Sequence, residues 1–166
     1  MDTAADRVAQ LMAEWRRERP DLDPSPQGVI GRLHRLARAL SKELDAVYSK
    51  HGLSEPEFDL LATLRRAGPP YERAAGDLAT HTMVTTGGLT KRVDRLEERG
   101  LVTRSGAPGD ARRRLVRLTT AGRKVIDGAF TDHIANEHRL LADLGKADAA
   151  ALEPILQRWL RVLGAD

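Results

Sequence analysis

A mainly α fold carrying one small β-wing is what this sequence predicts, and three observations predict it. Apolar residues recur at helical spacing through most of the 166-residue chain. Three helical segments run consecutively through its middle, with a tight turn before the third. After that third helix the rhythm changes, and two β-prone runs follow, joined by a Gly- and Pro-containing stretch that cannot be helical. Together these describe a winged helix-turn-helix domain plus flanking helical regions. The expected segments are N-terminal helices at 1–50, the winged domain at 51–120 and C-terminal helices at 121–166, in one integrated fold.

The elements follow in order. A first amphipathic helix is expected over 3–19, because Val8, Leu11, Met12 and Trp15 share one face, and Pro20 ends it. Ser25 as N-cap and Pro26 at the first helical position open a second helix reaching about Ser49. Its residues Ile30, Leu33, Ala37, Leu40, Leu44 and Val47 alternate steps of three and four, a coiled-coil-like seam suited to a neighbour in the same chain or in a second copy. Ser54 and Glu57 have capping-box spacing and start a helix with Phe58, Leu61 and Leu64 on its stripe, stopped at Gly68-Pro69-Pro70. A short helix is expected over 74–80. Thr85 then caps a helix over 86–99, whose inward face is Leu89, Val93 and Leu96 and whose stop is Gly100.

The wing is expected as strands at 101–104 and 115–118. Thr119 or Thr120 caps a long helix to about Asp143, and Asp148 caps a last one with Leu152, Ile155, Leu156, Trp159, Leu160, Val162 and Leu163 on its apolar side. Pro154 predicts a kink there or a later start. This last helix is too apolar to stand alone on a surface, so a helical partner is expected to cover it.

Charge is unevenly placed. The chain carries +3, yet residues 91–124 hold eleven Lys/Arg against four Asp/Glu, leaving the remainder at −4. A basic face on a near-neutral body is the footprint of a polyanion partner. Aromatic content of 4% argues against single-strand binding, which relies on stacking platforms. With no cysteine there is no disulfide, thiolate chemistry or Cys-based zinc site. The longest apolar runs are far short of a membrane span and the start lacks a signal-peptide core, so a cytoplasmic protein is expected.

At this point the residues resemble the MarR family of bacterial winged-helix regulators. The likeness covers about 25–163 and is strongest in LTKRVDRLEERGLV at 89–102 and DARRRLVRLT at 110–119, the second holding the Asp-x-Arg of the wing. The resemblance implies a homodimer that binds pseudo-palindromic operators in double-stranded DNA as a repressor, and that a small molecule releases. The leading helix, with QLMAEWRRERPDLD at 10–23, resembles the urate-responsive branch of that family.

Placed in the major groove, the third helix would offer Thr85, Thr86, Gly87, Gly88, Thr90 and Lys91 to the DNA, with Arg95 in reach of phosphate. The wing would put Arg112 into a narrow minor groove, with Asp110 organising the turn and Arg113 at phosphate or solvent. Arg92 falls on the helix's inward side, where a guanidinium needs acceptors. Asp59 is the candidate partner. That pair reads either as a permanent salt bridge fixing the helix or as part of a ligand site. In the second reading, which the urate-responsive resemblance implies, Arg92 and Arg104 bind an anionic ring, Asp59 accepts a ring N–H and Trp15 covers the face. Ala67 stands where a further polar group is expected. The effector expected is urate or an aromatic or organic acid.

An enzyme and a winged-helix dimer serving protein partners are the alternatives. Among the five histidines, His133 and His138 lie ~140° apart on one helix and share no face. With Glu137 they read as exposed helix residues rather than a metal site. No HExxH, Gly-x-Ser-x-Gly, P-loop or dinucleotide fingerprint is present. No catalytic residue, cofactor or metal is assigned, and the basic wing argues against the protein-partner reading.

Overall fold

A computed structural model of the chain describes residues 5–81, 88–107 and 110–164, with 79–81, 107 and 110–113 described by backbone alone. The chain divides into two compact units, Met1–Glu43 and Leu44–Asp166.

In the first unit, α1 (Arg7–Glu18) packs on the leading part of α2 (Gln27–Lys50). Asp6 caps α1 by accepting from Ala9 N at 2.8 Å and also receives Arg32 Nε at 2.7 Å. The Arg32 guanidinium and the Ala9 amide hold its carboxyl below the usual carboxylate range. Helix α1 therefore begins at Arg7, later than the 3–19 expected, with Asp6 supplying the cap. Two glycines let the helices approach: a Cβ at Gly31 would sit 3.2 Å from Val8 Cγ1. Within this unit most of the α2 seam is open in a single chain, with Ile30, Ala37 and Leu40 exposed.

The second unit is built around α3 (Glu55–Arg66), in which every residue from Glu57 to Leu64 is buried. It is enclosed because α4 (Ala75–His81), α5 (Leu89–Glu98), α6 (Thr120–Leu144) and strands β1 (Glu72–Ala74) and β3 (Asp110–Leu118) all pack on it. With β2 (Val102–Ala107) they form a three-stranded antiparallel sheet in the order β1-β3-β2. Val47 and Tyr48, at the end of α2, close this core.

Several expectations are corrected here. The wing strands are longer than 101–104 and 115–118, because Ser105 pairs with Leu115 and Gly106 with Arg114 beyond the apolar runs. Strand β1 was not expected; its three residues follow Tyr71, whose carbonyl accepts from Leu118 N at 3.0 Å. The described part of the third helix begins at Leu89, since Gly88 is left-handed at φ 83. Its expected cap, Thr85, lies outside the described residues. Helix α7 (Lys146–Leu163) does not start late and runs on through Pro154. Pro154 and Ala150, whose carbonyl loses its donor, are both solvent-facing, so water can satisfy that oxygen. No residue of α7 is buried, and Ile155, Leu160, Val162 and Leu163 are exposed. No helix among the described residues is long and apolar enough to cross a membrane.

The tightest joint lies where α5, the wing and α6 meet. Leu101 N donates to Leu96 O at 2.9 Å, and Thr119 N donates to Leu101 O at 3.1 Å. Thr119 Oγ1 caps α6 by accepting from Gly122 N at 2.9 Å and donates to Gly100 O at 2.7 Å. A Cβ on Gly122 would lie 1.9 Å from Leu101 O. Gly122→Ala is therefore expected to destabilise the protein by about 1–3 kcal/mol or more, since the obstacle is backbone and cannot rotate away. Urea denaturation monitored by circular dichroism measures this, and an unchanged midpoint would show that α6 shifts freely on the wing.

Candidate nucleic-acid interface

Helix α5 is held by adhesion on one face and by charge on two. Val93 and Leu96 are 3% and 0% exposed and bury the inward face against α3. Setting Leu89 at zero and stepping ~100° per residue, Arg92, Arg95 and Arg99 fall at about 240–300°. Thr90, Asp94 and Glu97 fall at about 80–140°, and Lys91 and Glu98 at about 180–200°, away from the core. One flank is cationic, the other acidic.

Each flank meets its opposite charge. On the cationic side, Glu57 of α3 has one oxygen 3.7 Å from Arg95 Nε and the other 3.8 Å from Arg99 Nη1. Glu57 is fixed by its capping role, accepting from Ser54 N and Ser54 Oγ at 2.9 Å each. On the acidic side, Arg104 of β2 pairs with Asp94, reaches Glu97 at 3.2 Å and donates to the Thr90 carbonyl at 3.3 Å. Its backbone N–H also donates to Glu97 Oε1 at 3.0 Å. Arg104 therefore ties the wing to two turns of the helix.

Beneath α5 the sheet presents a cationic row. Arg73 and Arg104 both stand opposite Val116 in the register, so the three side chains share one face, with Arg114 two residues along β3. A half-open groove of about 510 Å³ lies here, lined by Leu89, Thr90, Val93, Arg104, Arg114 and Val116 among others. Arg73 Nε is buried with no hydrogen-bond partner among the described residues. The arrangement can accept an anion with an apolar body.

The residues singled out from sequence are placed as follows. Thr90 and Lys91 are exposed, and Gly88 is the exposed residue just before α5. Thr85, Thr86 and Gly87 lie outside the described residues. Asp110, Arg112 and Arg113 belong to the far part of β3, with their side chains outside the description. Arg95 is half exposed and turned to Glu57. Asp59 is buried on α3 and Arg92 half-buried on α5, and neither is without a partner. Trp15 belongs to the first unit, where it is 49% exposed beside a groove with Arg19, Leu22 and Pro24.

Sequence reasoning missed the second role of Glu57 and the carboxylate partners of Arg104. The opposed charges on the two sides of the wheel were the available signal. It also misread His133 as an exposed residue. His133 is 13% exposed, with Nδ1 3.2 Å from Tyr48 Oη and Nε2 3.2 Å from Glu137. Its ring packs 5.1 Å from that of Phe58. Burial pushes the Tyr48 hydroxyl up to about 12. Among the described residues no cluster of three or more His, Asp or Glu could hold a metal ion.

The Arg104–Asp94 pair is partly solvated, so its coupling is expected to be modest. A double-mutant cycle on Arg104→Met and Asp94→Asn should give about 0.5–1 kcal/mol in denaturation. Additive effects of the two changes would remove Arg104 as the tie between wing and helix.

Comparison with known proteins places this geometry. A model of the MarR family matches residues 51–113. The transcriptional regulator PecS of Dickeya dadantii is 38% identical over 151 residues, covering 91% of each chain. A MarR-like transcription regulator from Bacillus cereus superimposes with a TM-score of 0.75 at 20% identity, covering 84% of this chain and 98% of that one. A mutant MarR of E. coli complexed with operator DNA gives 0.68 at 25% identity, covering 88% and 97%.

Proposed function

The chain belongs to the MarR family and is a DNA-binding transcriptional regulator; from that premise we propose that its homodimer represses by binding a pseudo-palindromic operator and is released by a small anionic ligand. The observation that carries the DNA reading is the charge-keyed α5, which leaves Thr90 and Lys91 on its exposed side beside an Arg-rich wing. Two such heads related by a dyad would read half-sites about one helical turn, roughly 10 bp, apart. The homodimer is supported by α7, an 18-residue helix with a bare apolar side and no buried residue. A second copy supplies the helical cover it lacks.

In this reading Thr86, Gly87, Thr90 and Lys91 meet base edges in the major groove, and Arg112 enters the minor groove, where negative potential is enhanced in narrow segments. Arg112→Ala is expected to weaken operator binding about tenfold, or ~1.4 kcal/mol, while leaving the dimer intact. Fluorescence anisotropy at fixed salt, with sedimentation for the oligomer, measures both. Unchanged affinity would remove Arg112 from the interface.

The ligand reading is supported by the groove beneath α5. An anion such as urate or an aromatic acid could take Arg104 and Arg114 by charge and Leu89, Val93 and Val116 by its ring. It would then compete with Asp94 and Glu97 for Arg104 and loosen the tie between wing and helix. The resemblance adds Arg92 and Asp59 as a second pairing that the ligand replaces. Release requires tighter binding to the conformation that does not hold DNA, and a coupling of about 1–3 kcal/mol lowers DNA affinity 5- to 150-fold. Titrating urate and benzoate into the protein–DNA complex tests this. Retention of the complex at millimolar concentrations of both would sink the ligand reading and leave Arg104 as a structural tie.

A further inference from the structure

The cationic flank of α5 presents a problem that the fold solves with one side chain. Arg95 and Arg99, four residues apart, are 52% and 39% exposed, and they sit on the helix that the proposed function puts in the major groove. Free guanidiniums there would seek phosphates, and phosphate contacts carry no sequence information of their own. Glu57 is placed to prevent this. Its side chain is only 9% exposed, and its position is set by two hydrogen bonds from Ser54, independently of the arginines.

At 3.7 and 3.8 Å the arginine contacts are too long for hydrogen bonds, so they act through charge. A carboxylate removed from water is screened less than an exposed one, which strengthens its pull on both guanidiniums. The exposure of the arginines means the contacts add little to stability. Their effect is on where the two charges point.

Resting on the operator-binding reading above, we propose that Glu57 is a specificity-determining positioning residue. It holds Arg95 and Arg99 back from the phosphate backbone, so that α5 is seated by its outward residues rather than by indiscriminate attraction. Glu57 touches no base and acts only through the two arginines.

Glu57→Gln isolates the charge, because glutamine at this position of a capping box still reaches the N-cap amide. The test uses a duplex selected by the wild-type protein from a random-sequence pool, with a shuffled duplex as competitor. In the variant, affinity for the shuffled duplex should rise about threefold or more while affinity for the selected duplex does not. The ratio of the two should fall at least about fivefold. The slope of log affinity against log salt on the shuffled duplex should steepen by about one, the signature of an added phosphate contact. Adding Arg95→Gln and Arg99→Gln to Glu57→Gln should return that slope to the wild-type value.

An unchanged ratio and slope would overturn the proposal. So would proportional loss of both affinities, which is what mere misfolding gives and which thermal denaturation of the variant reveals. Failure of the wild-type protein to select any duplex would instead overturn the operator reading itself.

Discussion

The azimuth of α5, its rotation about its own axis, is the constraint on which the rest of this protein depends. Burial of Val93 and Leu96 glues the helix to α3, but hydrophobic contact is non-directional and tolerates rotation. Opposed charges remove that freedom. Glu57 lies against the arginine flank and Arg104 against the acidic flank, so turning the helix over would place like charges together. The residues left facing outward are consequently determined by their neighbours on the inside.

Beside the Arg104 side chain, backbone contacts pass that orientation on. The end of α5, the start of β2 and the first turn of α6 share Leu101, whose N–H and carbonyl are both committed to the other two elements. Gly122 lets α6 rest directly on that carbonyl, with no side chain between to absorb a shift. Interfaces packed this closely move between discrete arrangements rather than deform continuously. The start of the wing and α6 are therefore joined here with no flexible group between them.

Much of this was legible in the residues, for local reasons. The Ser54–Glu57 cap, the Gly100 stop and the inward face of Leu89, Val93 and Leu96 are properties of a few adjacent positions, and each stands where expected. What was not legible depends on partners distant in sequence. Strand β1 has three residues and exists only because β3 offers it an edge. The wing runs past its apolar core because pairing, not hydrophobicity, sets where a hairpin ends. His133 is covered by Tyr48 of α2 and Phe58 of α3, both far from it in sequence, so its own segment does not show the contact. The candidate site divides in the same way. Lys91 and Thr90 follow from the helical wheel, whereas the groove with Arg104 and Arg114 follows only from strand register.

The close contact at Gly122 also has a mechanical meaning. Helix α6 has 25 residues, so it is a rod about 37 Å long with a pivot at its first turn. A tilt of roughly 3° about that pivot sweeps the distant tip through about 2 Å, while atoms beside the pivot move only a few tenths of an ångström. Such a lever has high mechanical advantage in one direction and low in the other. Restraining the tip immobilises the pivot almost completely, whereas a disturbance at the pivot must be small, stiff and well aimed to be felt at the tip.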